Sequence, residues 1–215
     1  MATQTLTRKS EAVPSRAKDE TPPIIIRLAP VIELTEEQFV QFCAINREIR
    51  IERTASGELE LMSPTYSDTG ARNAEVTAQL GHWSRQDGTG IAFDSSAGFR
   101  LPNGAMRSPD SSWISKSRLA ELSDEERHGF FAICPYFVVE LRSDSDSLAA
   151  LLDKMAEYMD NGTRLGWLLD PRDRRVYVFR PDATVEILET PDKLPADPEL
   201  PGFSLDMRNI WNPPF

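Results

Sequence analysis

Three side chains near the middle of the chain are of the types that hydrolyse phosphodiesters: Asp110, Glu140 and Lys154. The segment carrying them reads MRSPDSSWIS, then a helical spacer, then YFVVELRS and SLAALLDKMAEYMDNG. Magnesium takes one or two carboxylates and completes its shell with water and phosphate oxygens, and manganese can stand in for it. Such an ion neutralises charge on a phosphate and lowers the pKa of a bound water. A lysine beside it supplies a compact positive charge for the attacking water or the transition state.

The elements that must position these groups follow from local pattern. Residues 105–114 have strand character broken by Pro109, which sets Asp110 at a bend or bulge near a strand end. Residues 136–141 are a short apolar run rich in Phe and Val, the mark of a strand buried on both faces. Glu140 interrupts that run, and a carboxylate there is costly unless it meets a cation or a metal. By strand alternation Arg142 should share the face of Glu140. Leu148, Leu151, Leu152, Met155 and Met159 form one stripe of an amphipathic helix. Lys154 and Tyr158 lie on a flank of that stripe, from which the lysine can bend over the neighbouring sheet edge.

The ordered set S-P-D, V-V-E, K-x-x-x-Y and W-L-L-D-P resembles the PD-(D/E)XK nuclease superfamily. More closely it is similar to the superfamily's Uma-type restriction endonuclease domains of small bacterial proteins, over residues 34–211. The resemblance implies an α/β (α+β) fold whose mixed central sheet is flanked by helices, with a core order of helix, three strands, helix, strand. It also implies a magnesium-dependent DNA endonuclease, with Asp110 and Glu140 holding the metal. The superfamily's usual lysine lies two residues after the glutamate, where this chain has Arg142. Arginine does not give up its proton, so that role passes to Lys154. Nucleases of this type often draw a glutamate from their first core helix, and Glu75 is the match. Arg100, Arg107 and Arg142 are the candidates to meet substrate phosphate, with Asp94 also near the cleft.

Composition sets the bounds. A chain of 215 residues suits a single domain, expected over 23–215, that buries roughly 70% of its unfolded surface. A net charge of −10 argues against a tight, non-specific nucleic-acid binder. It leaves room for a nuclease, because charges beyond about 8 Å are screened at physiological salt. Cys43 and Cys134 form no C-x-x-C and the two histidines no ligand spacing, so neither a disulfide framework nor zinc is indicated. No run is apolar enough to span a membrane and no signal-peptide core opens the chain, which makes the cytoplasm the expected compartment.

Residues 1–22 are polar and unpatterned and read as a disordered tail. Ile24–Ile26 reads as an edge strand. Thr35 to Gln38 is a capping box that opens a helix, and a hairpin follows around Ser56-Gly57. A helix over 69–85 leads to strands at 91–94 and 98–101 and an Asn103-Gly104 turn. Residues 115–128 read as an exposed helical insertion. Strands at 164–169, 175–180 and 184–188, a proline-rich loop over 190–201 and a short closing helix complete the chain. Ser143 to Ser147 reads as the loop and cap of the Lys154 helix, with a second acidic site as its sharper alternative. Cutting both strands of DNA favours a homodimer, with the 24–26 segment and the C-terminal strands as candidate edges. Two further functions share the pattern: an inactive nuclease fold serving as a binding module, and a metal-dependent hydrolase of another phosphate ester.

Overall fold

Alternating apolar and charged residues at 50–53 and 59–62 build the middle of one sheet, and the apolar runs at 137–141 and 165–169 the centre of another. The computed structural model describes residues 24–215 apart from Ser63 and His128. The expected disordered tail, residues 1–22, lies outside them. In chain order the elements are β1 (Ile24–Ile26), α1 (Glu36–Ile45), β2 (Arg50–Arg53), β3 (Leu59–Met62), α2 (Ser67–Asp87), β4 (Gly90–Asp94), β5 (Phe99–Arg100) and β6 (Met106–Arg107). Then come β7 (Ser111–Ser115), α3 (Lys116–Ala120), α4 (Asp124–Arg127), β8 (Phe137–Leu141), α5 (Leu148–Asp160), β9 (Leu165–Asp170) and β10 (Arg175–Phe179). The chain closes with β11 (Glu186–Glu189), β12 (Lys193–Pro195), β13 (Ser204–Asp206) and α6 (Arg208–Trp211).

The larger sheet has the order β11-β10-β9-β8-β7-β4, and the smaller one β1-β3-β2-β6-β5. Only β8 and β9 run parallel within the larger sheet; α5 is the crossover that a parallel pair requires. The core order α2, β4, β7, β8, α5, β9 is the expected helix, three strands, helix, strand, and the β10–β11 hairpin extends it. Each residue of β8 is buried, as its composition predicts. Phe137, Val139 and Leu141 point toward α2, where Val76 and Leu80 pack. Val138 points the other way, to Met155 and Tyr158 of α5. Each such side chain contributes roughly 1.5–3 kcal/mol when fully buried, so both helices are clamped to the sheet.

The smaller sheet covers a separate apolar cluster, Phe39 of α1 with Ile51, Leu59 and Met106. The capping box that starts α1 is present: Gln38 N–H donates to Thr35 Oγ1, and Thr35 N–H donates to Gln38 Oε1. Ser123 and Glu126 form a second capping pair before α4. Gly57 and Gly104 take the positive φ that their turns require. The segment expected as a proline-rich loop carries a strand, because β12 pairs antiparallel with β13. Both cysteines are free. Among the described residues no helix is long and apolar enough to cross a membrane.

Candidate active site

Pro109 ends one sheet and starts another. β6 belongs to the smaller sheet and β7 to the larger, so the Ser108-Pro109-Asp110 turn is where the chain crosses between them. Asp110 is therefore held at the seam, as its place after a strand-breaking proline suggested. One step beyond the Ser111–Val139 pair of the β7–β8 ladder brings it beside Glu140. Its Oδ2 accepts the Leu141 N–H at 2.9 Å, and its Oδ1 accepts Asn73 Nδ2 at 3.2 Å.

Lys154 bends from the flank of α5 to the same place. Its Nζ lies 2.9 Å from Glu140 Oε1 and 3.1 Å from Glu52 Oε2. Tyr158, one turn along α5, donates its hydroxyl to Glu140 Oε1 at 3.0 Å. The three residues singled out by type and spacing thus converge, and Tyr158 joins them through its hydroxyl.

The smaller sheet completes the site from the other side, which pattern alone did not suggest. Glu52 of β2 is only 1% exposed. Besides Lys154 it binds Arg107 Nη1 through Oε2 at 3.2 Å and the Ser108 N–H through Oε1 at 3.0 Å. It therefore ties the lysine to the turn that carries Asp110. Glu52 faces Glu60 directly across the β2–β3 ladder, a pairing that repels. Arg107 reaches both and also Glu157.

The electrostatics follow from how few cations serve these carboxylates. Burial opposes charge on Glu52, yet Lys154, Arg107 and Arg50 together hold its carboxyl below the usual range. Glu140 shares one lysine with Glu52 and, among the described residues, pairs with no second cation. Burial, reinforced by Asp110 and Glu52, raises it to about 7 in spite of Lys154. Burial likewise raises Asp110, against the Leu141 N–H and the charges of Arg50 and Lys154. Burial would lower the Lys154 ammonium, but Glu140 and Glu52 outweigh it and raise its pKa. Lys154 is consequently a fixed positive charge near neutral pH, not a proton acceptor.

Asp110 and Glu140 are the carboxylates that suit a divalent cation. Both are held above their ordinary range by burial, so a cation would relieve them. Beside them Asn73 Oδ1 is buried with no donor, an acceptor that the water shell of a bound cation would satisfy. Among the described residues no three or more His, Cys, Asp or Glu side chains group so as to cage an ion. The donor set therefore fits a largely hydrated magnesium or manganese ion and not a protein-enclosed one.

Other expected site residues lie elsewhere. Glu75 accepts from Gln79 and Asn209, while Asn73 of the same helix meets Asp110. Residues two apart on a helix differ by roughly 200°, so one helix face cannot present both. Arg142 lies one residue past the end of β8, where its N–H extends the ladder to the Leu169 carbonyl of β9, and its guanidinium pairs with Asp170 at 2.8 Å and Asp173 at 3.4 Å. Arg107 is buried among its three glutamates. Arg100 pairs with Glu36 and Glu126. Asp94 binds the backbone and hydroxyl of Ser96. In the SDSDS loop, Asp146 accepts from Ser143, whereas Ser147 makes no side-chain cap to α5.

The fold is similar to that of a solved structure of a "putative nuclease belonging to DUF820" from Anabaena variabilis ATCC 29413. The likeness has a TM-score of 0.70 over 83% of this chain and 98% of that one, at 20% identity, and speaks for the fold. The chain itself belongs to the Uma2 family, described as "Putative restriction endonuclease", whose family model matches residues 36–208. No curated protein matches it.

Proposed function

We propose that the protein is a divalent-metal-dependent endonuclease of the PD-(D/E)XK type that hydrolyses phosphodiester bonds of DNA. The observation that carries this reading is Asp110 beside Glu140, two carboxylates raised by burial, with Lys154 in direct contact with one of them. Magnesium, or manganese in its place, would be held by Asp110 and Glu140. Bound there, it supplies charge neutralisation at the phosphate and a water of lowered pKa.

The chain's own residues do the rest. Lys154 keeps its proton and offers a fixed charge to the developing oxyanion. Glu52 and Tyr158 restrict where that ammonium and the Glu140 carboxylate can go. Asn73 and the Leu141 N–H orient Asp110. The carboxylates around the site (Glu52, Glu60, Glu157, Asp110, Glu140 and Asp146) outnumber the cations Arg50, Arg107 and Lys154, an imbalance that a divalent cation would reduce. Cleavage would take place in the cytoplasm, by a homodimer. The outer edges of β1 and β11 have no strand partner among the described residues, and each carries an exposed isoleucine.

Supercoiled plasmid incubated with magnesium or manganese tests the reading. Linear product that vanishes in Asp110→Ala is expected, together with a dimer mass by light scattering. Absence of any metal-stimulated cleavage would overturn the endonuclease, and open circles from a monomer would overturn the dimer alone.

A further inference from the structure

Lys154 and Arg107 are both enclosed by carboxylates: their side chains are 11% and 8% exposed, and they make two and three ion pairs. The ion pairs of both are to carboxylates of the chain itself. Arg50, at the first position of β2, differs. Its side chain is 33% exposed, and its ion-pair contact is a loose 3.8 Å to Glu52 Oε1. One Nη donates to the Ser108 carbonyl, so the guanidinium is anchored to the turn that carries Asp110. Its Nε is buried with no acceptor. Buried donors without partners are uncommon in native structures and ask for an explanation.

We propose that Arg50 is the phosphate-binding residue of the site, donating from its guanidinium to the non-bridging oxygens of the nucleic-acid strand beside Asp110. Five N–H groups in a planar fork suit two phosphate oxygens at once, and one of the five is engaged by Ser108. The anchor sets the fork at the seam of the two sheets, part-exposed to solvent and near Glu52 and Asp110. Its charge already acts on Asp110 and Glu52. A phosphate drawn there would lie at the edge of the proposed metal site. This inference rests on the endonuclease reading, because it takes that site as the destination of the substrate.

The test separates the two. A labelled 20-base-pair duplex is titrated with the full-length protein in calcium, and anisotropy is followed from low to moderate salt. Each phosphate contact contributes about 0.9 to the slope of log K against log salt. Arg50→Gln should weaken binding alike for unrelated sequences and lower the slope magnitude by about one. Arg50→Lys keeps a charge and should keep the slope. The urea midpoint of each variant reports on folding. An unchanged slope in a normally folded Arg50→Gln overturns the proposal. So does equal loss in Gln and Lys with a fall in midpoint, which would make Arg50 structural, and so does a wild type that binds no duplex. A wild type that shows the slope change but never cleaves plasmid would leave the phosphate contact standing and remove the nuclease reading.

Discussion

Replacing Lys154 by methionine removes one charge while retaining most of the side chain's bulk, and the structure says which carboxylate is then stranded. Glu52 still has Arg107 at 3.2 Å and Arg50 at 3.8 Å. Glu140 has only the Tyr158 hydroxyl. Breaking a buried pair by deleting one partner costs about 3–5 kcal/mol, and a single stranded carboxylate puts Lys154→Met in that range at pH 8. For a chain of this length each kcal/mol moves Tm by about 2–4 °C, so the fall should be roughly 6–20 °C. The dependence on pH identifies the cause. Glu140 ordinarily titrates near 4.5 and in the fold near 7. The folded state therefore binds its proton more tightly, and this group's contribution to stability declines as pH rises from 4.5 through 7. Without Lys154 the carboxyl rises further and the penalty grows above pH 7. At pH 5 Glu140 is protonated with or without the lysine, and the loss should shrink to about 1 kcal/mol, the scale of altered packing. Urea melts at pH 5 and pH 8 measure both values. Adding Glu140→Gln to Lys154→Met should restore most of the loss at pH 8. A penalty below 1 kcal/mol at pH 8, or an equal penalty at both pH values, would refute the charge-sharing account.

Magnesium binding should strengthen by about tenfold from pH 6 to pH 8, because the ion must displace the proton that Glu140 holds near neutrality; calorimetry in buffers of different ionisation heat would show the released proton, and flat affinity would contradict it. Arg142→Ala should cost about 3 kcal/mol by stranding buried Asp170 and leave the salt dependence of DNA binding unchanged; the reverse pattern would return Arg142 to the substrate. Gly90→Ala should destabilise by several kcal/mol, since a Cβ there would lie 2.5 Å from the Ile114 carbonyl oxygen and 2.1 Å from the Trp113 ring. Gly70→Ala at an exposed position of α2, with nothing within 4 Å of the new atom, should stabilise by up to about 1 kcal/mol, and thermal melts of the pair check both signs.

What the sequence could reveal of this site was decided by distance along the chain. Asp110, Glu140 and Lys154 each carry a local mark: a proline that stops a strand, an acid in an apolar run, and a lysine on the flank of an amphipathic stripe. The helices, the β8 strand and the hairpins carry similar marks and appear close to where pattern sets them. Arg142 meets Asp170 and Asp173 at the end of β9 and just beyond it, partners that its place two residues after the glutamate does not reveal. Glu75 misled because a helix presents one face to the site, and the residue on that face is Asn73. An amide opposite a carboxylate gives no signal in a single sequence.

Glu52 shows why the rest stayed hidden. Strand alternation in β2 and β3 is faithful: Ile51 and Leu59 meet α1, while Glu52 and Glu60 take the opposite face. Pattern reading assigns that opposite face to solvent. Here it is covered, because Glu157 and Lys154 of α5 reach across the seam to Arg107 and Glu52. Whether a polar strand face is wet or roofed depends on how two sheets meet, and that is set by the turn at Pro109 and by contacts about 100 residues apart. A buried polar face is tolerated only if its charges are paired. The alternation of charged and apolar residues in RIE and GELEL therefore fits both a solvated strand and a paired one, and the partner from outside these strands, Arg107, distinguishes them. The same covering makes the site sensitive to the smaller sheet. A substitution at Glu52, far in sequence from every proposed metal ligand, would remove a partner of Lys154 and of the Asp110 turn together.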